Sequence, residues 1–249
     1  MAELPLHILA AVAGTAFLAA FAQGVTGFGS ALVAMPLLSL ALGVREAAAL
    51  VILLSLAINL ALLVPARRAL PWRLAAPLFV GTLLGAPAGV LFLAGADPRL
   101  ARALLGVSLI AASVALLRTR ALRLGPGAGP ALAAGAIAGV VGGAYTVNGP
   151  LVTLYAASQG WEKRETHAVL QLYFLASNVW IAALHSAAGI TDRRVLLAAA
   201  SALPALALGS LAGWAVHRRI DEARYRRFLL LMLLAAGGAL IAAALHPAE

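Results

Sequence analysis

Polar residues interrupt this chain rarely, and mostly in clusters. Apolar residues run over 6–42, 47–64, 72–95, 100–117, 130–159, 168–191, 195–216 and 227–245, with arginines, acids and prolines gathered between them. Continuous Leu/Ala/Val runs of this length predict membrane-spanning α-helices. The strands of a transmembrane barrel would alternate apolar and polar residues instead. The expected fold is all-α and polytopic, with 8 hydrophobic runs and 8–10 membrane segments in one transporter-like domain over 1–249.

The first and fifth runs are longer than the roughly 20 residues that one crossing needs. Both carry a glycine cluster: QGVTGFGSALVAMP from Gln23 to Pro36, and GVVGGAYTVNGP from Gly139 to Pro150. In hydrocarbon every backbone N–H and C=O must be satisfied, so such a break is tolerated only where protein or a water-filled cavity surrounds it. What a break offers is a helix N-terminus, whose free N–H groups and positive dipole end attract anions. The expected pieces of the first run, 6–22 and 29–42, are short, and two readings stand for them: full crossings or re-entrant half-helices. Gly85-x3-Gly89 and Gly209-x3-Gly213 are small-xxx-small patterns and read as helix-packing positions.

The two broken runs belong to two similar halves. GVREAAALVILLSLAIN (Gly43 to Asn59) aligns with WEKRETHAVLQLYFLASN (Trp161 to Asn178), placing Arg45 on Arg164, Glu46 on Glu165 and Asn59 on Asn178 at a constant offset of 119. Gly-x3-Gly-x7-Asp occurs at Gly85 and again at Gly209, and Pro36 is matched to Pro150. The expected division is a repeat over 4–122, a Gly/Pro linker over 123–130 and a second repeat over 131–246. Paired breaks in duplicated halves point to a transporter's substrate site. The residues expected to bind substrate are Gln23, Thr26, Gly27, Gly29 and Ser30 in the first break, and Gly143, Thr146, Asn148 and Gly149 in the second.

Charge placement bears on topology. With four spans per half, the Lys and Arg residues divide 8 to 10 between the two sides; with five per half, they divide 13 to 5. Cytoplasmic loops carry the positive excess, so the second arrangement is expected, with inverted repeats, both termini outside and a location in the cytoplasmic membrane. The net charge of +9 is thereby read as an orientation signal and not as a nucleic-acid footprint. Only 11% of residues are charged and 63% are hydrophobic, far from a soluble composition. Cysteine is absent, which removes thiol chemistry and thiolate metal sites; no cofactor or metal is expected.

GVTGFGSALVAMPLL, together with GVVGGAYTVNGPLV, resembles the TauE/SafE family of sulfite exporters and related permeases, over nearly the whole chain. The resemblance implies movement of sulfite, sulfonates or related organosulfur and carboxylate anions. The Tyr-Thr-Val-Asn between Gly143 and Gly149 departs from the family's glycine-rich pattern, so the particular anion does not carry over.

A polar stripe adds further candidates. His167, Gln171, Asn178 and His185 recur at spacings of 4, 7 and 7, one face of a helix. Gln171 and Asn178 are expected to line the substrate path, as is Asn59 through its match to Asn178; His167 and His185 are candidate proton or pathway residues. The competing reading makes the amides interhelical glue and the histidines interfacial. Glu46 and Glu165 suit helix starts, and Asp97 and Asp221 read as N-caps.

The partners expected are a small anion and the lipid bilayer. The leading reading is a secondary transporter working by alternating access, and no enzyme. A non-transporting scaffold or accessory subunit is the second reading. An intramembrane enzyme is the third, since no His-Glu-x-x-His, Ser/His dyad or aspartate pair is present.

Overall fold

A computed structural model describes residues 5–27, 29–63, 71–117, 125, 127–216 and 222–245. Among these the chain is helical throughout, without strands: α1 (Leu6–Thr26), α2 (Ser30–Leu42), α3 (Val44–Leu63), α4 (Trp72–Gly95), α5 (Pro98–Leu117), α6 (Ala128–Tyr145), α7 (Gly149–Ser158), α8 (Lys163–Ala187), α9 (Arg193–Val216) and α10 (Glu222–Leu245). Seven of these helices are long and apolar enough to cross a membrane, α2 is a shorter apolar helix, and α10 contributes the short apolar stretch Leu229–Leu245. The protein is thus a polytopic all-α membrane protein.

Helix starts follow local chemistry. Asp97 caps α5, its Oδ1 accepting the N–H groups of Arg99 (2.8 Å) and Leu100 (3.2 Å), and Pro98 occupies the first helical position, where its missing N–H is no loss. Asp192 caps α9 in the same way through the Val195 N–H at 2.8 Å. The proposed cap Asp221 lies outside the described residues.

Both breaks fall later than the glycines suggest. α1 runs on through Gly24 to Thr26, so the first piece has 21 residues and is long enough to span, while α2 has only 13. α6 likewise continues through Gly139, Gly142 and Gly143, and α7 has 10 residues. These glycines stay helical because they are packing positions: a Cβ on Gly24 would meet the Gly213 backbone at 3.2 Å, and one on Gly139 would meet Thr82 at 2.9 Å. The readings of 6–22 as a short piece and of a break at Gly139 are corrected accordingly.

Packing follows an exchange pattern. α1 lies on α9 and α6 on α4, α3 meets α8, and α5 meets α10. Advancing every label by five positions in the cycle of ten reproduces the same set of pairs. Close contacts give their directions. Gly209 and Gly213 abut the backbones of Phe17 and Phe21, so α1 and α9 run parallel; Gly81 and Gly89 abut Leu132 and Val140, so α4 and α6 do as well. Gly106 abuts Ile241 while Gly237 abuts Ile110, so α5 and α10 run antiparallel. α3 and α8 are also antiparallel, with Ile52 packed beside Ile181 and Asn59 beside the cavity that Phe174 lines. Small residues at these crossings let backbones touch, as membrane helices require. Large apolar side chains instead face outward, Leu84 at 73% exposure and Trp214 at 74%.

The core is divided. One cluster is drawn mainly from α1, α2, α3, α5, α9 and α10, with the last turns of α4 and α6. A second is drawn from α4, α6, α7 and α8.

Candidate substrate cavity

The two breaks share one local geometry. Gly27 (φ 80°) ends α1 in the left-handed conformation and Thr146 (φ 60°) ends α6 in the same one. Gly29 and Asn148 then stand at the N-caps of α2 and α7. These pairs keep the offset of 119 that relates Asn59 to Asn178. In this register the matching of Pro36 with Pro150 fails: Pro36 lies inside α2, whereas Pro150 sits in the first turn of α7. Linear text aligned two prolines that do different work, since a first-turn proline forfeits no hydrogen bond and an interior one does.

Thr146 is the one non-glycine residue with positive φ among the described residues. A β-branched residue there is strained. Its Oγ1 donates to the Ala48 carbonyl at 3.2 Å and its N–H to Gly142 O at 2.7 Å, which hold it in place.

A small cavity of about 30 Å³, open in part to the outside, lies between the breaks. From one side it is lined by Gln23, Gly29, Ser30, Ala31, Leu32, Ser55 and Asn59; from the other by Thr146, Val147, Asn148, Gly149, Phe174 and Asn178. The first group belongs to α1–α3, the second to the α6–α7 break and α8. No charged side chain lines it among the described residues.

Its polar groups fall into two sets. Some are already engaged: Gln23 Nε2 donates to Asn59 Oδ1 (2.5 Å), Ser30 and Ser55 hydroxyls pair at 3.3 Å, and Asn148 Nδ2 donates to Ser177 Oγ (3.3 Å). Asn178 is different. It is 3% exposed, it lines the cavity, and its amide makes no hydrogen bond among the described residues. Its amide atoms are not fully enclosed by protein and face the free space of the cavity.

The helix ends show the same asymmetry. Neither α2 nor α7 has a side-chain N-cap bond, because Gly29 has no side chain and Asn148 is turned to Ser177. The N–H groups of Ser30, Ala31, Leu32, Gly149 and Leu151 have no acceptor among the described residues. At the C-termini of α1 and α6 some carbonyls are engaged. Gln23 O accepts from Gly27 N–H, Gly142 O from Thr146 N–H and Gly27 O from Gln171 Nε2, each at 2.7 Å. Gly143 O accepts from the His185 ring, also at 2.7 Å.

Gln23, Gly29, Ser30, Asn59, Thr146, Asn148, Gly149 and Asn178 are thus brought together. The other candidates lie beside them. Gln171 is buried and ties α8 to Gly27, and His167 is exposed at the start of α8 with its ring against Gly27. His185 is fully buried and holds Gly143, whose Cα faces Ala86. The side chain of Thr26 lies outside what is described. The polar stripe of α8 therefore touches both breaks, His167 and Gln171 at the first, Asn178 and His185 at the second. Ser55, Phe174 and Ser177 were not anticipated. Ser55 is one helical turn from Asn59, and Ser177 precedes Asn178; that periodicity was the available signal.

Comparison with known families adds the deciding observation. The family model described as Sulfite exporter TauE/SafE matches residues 12–240, which include every residue lining the cavity. The chain belongs to the TauE/SafE family. TauE/SafE is a family of membrane transporters, in keeping with the seven apolar helices of spanning length found here. No curated protein and no solved structure matches the chain.

Proposed function

We propose that the protein is a secondary transporter that moves a small anion, of the sulfite, sulfonate or carboxylate type, by alternating access, with the cavity as its substrate site. The observation that carries this reading is Asn178, whose amide faces the cavity without a partner among the described residues, set between two helix N-termini that lack side-chain caps. Such N-termini present N–H donors and positive dipole ends, and attract anions without a buried cation. The family membership supports the transport reading.

The repeats over 4–122 and 131–246 are proposed to be inverted. The antiparallel packing of α3 on α8 and of α5 on α10 supports this, because equivalent helices of inverted repeats run in opposite directions. The proposed moving bodies are the two core clusters, each mixing helices of both repeats.

Asn178→Ala tests the site. Loss of a hydrogen bond to a charged ligand is worth about 1.5–3 kcal/mol, so sulfite uptake into proteoliposomes is expected to fall at least tenfold in apparent affinity. Unchanged transport with wild-type folding would sink the assignment. Topology is checked separately. In this cysteine-free chain, a single Gly125→Cys in the linker is expected to resist an impermeant maleimide applied outside intact cells. Labelling without permeabilisation would reverse the proposed orientation.

A further inference from the structure

The geometry points to a site selective for singly charged anions, one that rejects dianions of the same shape. This rests on the cavity being the anion site proposed above. Each helix N-terminus presents roughly half an elementary positive charge, and two of them, α2 and α7, open into the cavity through Gly29–Leu32 and Asn148–Gly149. Together they offset about one negative charge.

No other source of positive charge was found. No Lys, Arg or His lines the cavity among the described residues. The histidines of α8 are His167, turned to Gly27, and His185, bonded to Gly143 O, and Tyr173, bonded to Thr82, supplies no positive charge. The C-termini of α1 and α6 carry the opposite sign, but residues 24–27 and 142–145 do not line the cavity, and Gly27 O and Gly143 O are held by Gln171 and His185. The N–H groups of the two helix starts face the cavity, beside the Asn178 amide.

Magnitude then decides. The cost of removing an ion from water rises with the square of its charge, while the attraction to fixed dipoles rises only linearly. A monoanion is matched by the two helix ends and the neutral donors. A dianion incurs about four times the desolvation cost for twice the attraction.

Methanesulfonate and methylphosphonate separate charge from shape. Both are tetrahedral, with a methyl group and three oxygens. At alkaline pH the first keeps one charge and the second carries two; at acidic pH both are monoanions. Binding to the purified full-length protein is measured by calorimetry at both pH values, with methanesulfonate reporting any effect of pH on the protein itself. Methanesulfonate is expected to bind more than tenfold tighter than methylphosphonate at alkaline pH, and the difference is expected to collapse at acidic pH.

Equal or tighter binding of the dianion, weakened by Asn178→Ala, would overturn the monoanion selectivity and leave the site standing. Absence of binding by either anion, or binding indifferent to both Asn178→Ala and Asn178→Ser in protein that elutes as wild type, would overturn the site as well. The charge comparison uses the wild-type chain, so it does not depend on either variant folding.

Discussion

At the scale of single residues, the turns at Gly27 and Thr146 solve one problem with different chemistry. Each ends its helix in the left-handed region and directs the next helix start into the cavity. At Gly27 an added Cβ would be strained by φ and would meet the His167 ring at 2.9 Å. Gly27→Ala is therefore expected to destabilise the protein by about 1–2 kcal/mol, visible as a lower unfolding temperature. Thr146→Gly is expected to differ from wild type by less than about 1 kcal/mol, because relief of strain offsets the lost bond to Ala48. A large loss in Thr146→Gly would show that the hydroxyl matters more than the backbone. These turns were only partly legible beforehand. Glycine in left-handed turns is common, whereas nothing in the text of AYTVN signals that its threonine takes the same role.

At the scale of elements, the glycines divide into those that turn the chain and those that let helices touch. Gly209 lies on the backbone of Phe17, across the α1–α9 crossing. Gly14, also in α1, has open space where its Cβ would be. Gly209→Ala is expected to cost about 1–3 kcal/mol through overpacking. Gly14→Ala is expected to be neutral or to stabilise by up to about 1 kcal/mol, as a better helix former. Thermal unfolding of the two purified variants checks this, and equal effects would refute the packing account. Small-xxx-small spacing identified Gly85, Gly89, Gly209 and Gly213 as packing positions. It did not show that Gly24, Gly139 and Gly143 belong with them, because glycine text alone does not distinguish a break from a crossing. The partner backbone makes that distinction, and the partner is more than sixty residues away in sequence in each case, except Gly139 and Gly143, whose partner α4 is nearly as remote.

At the scale of the whole molecule, the cavity is lined from both larger core clusters, by Leu32 and Val147 of one and Phe174 of the other, and these clusters do not correspond to the two proposed repeats. α1 of the first half is bound to α9 of the second, and α4 to α6, by backbone contact. A simple parting of one repeat from the other would break both crossings. The motion proposed above, between the clusters, would leave them largely intact and open the cavity. Ser55 and Phe174 line that cavity from opposite clusters. In this cysteine-free chain, Ser55→Cys with Phe174→Cys joined by a short bifunctional thiol reagent is expected to abolish transport, and each single variant is not. Persistent transport in the cross-linked protein would exclude relative motion at this seam.

The sequence by itself determined the class of protein, because apolar runs of spanning length leave backbone hydrogen bonding no other solution in lipid than helices. It also pointed to two halves at an offset of 119 and to most of the side chains at the cavity, since polar residues in apolar spans are rare enough to stand out. Only the tertiary structure decided where the breaks fall, which helix ends are open and which are satisfied, and that Asn178 alone among the cavity amides lacks a partner. Each of these depends on contacts between segments far apart in the chain, such as Gln171 with Gly27 and Asn148 with Ser177, and no local pattern encodes them.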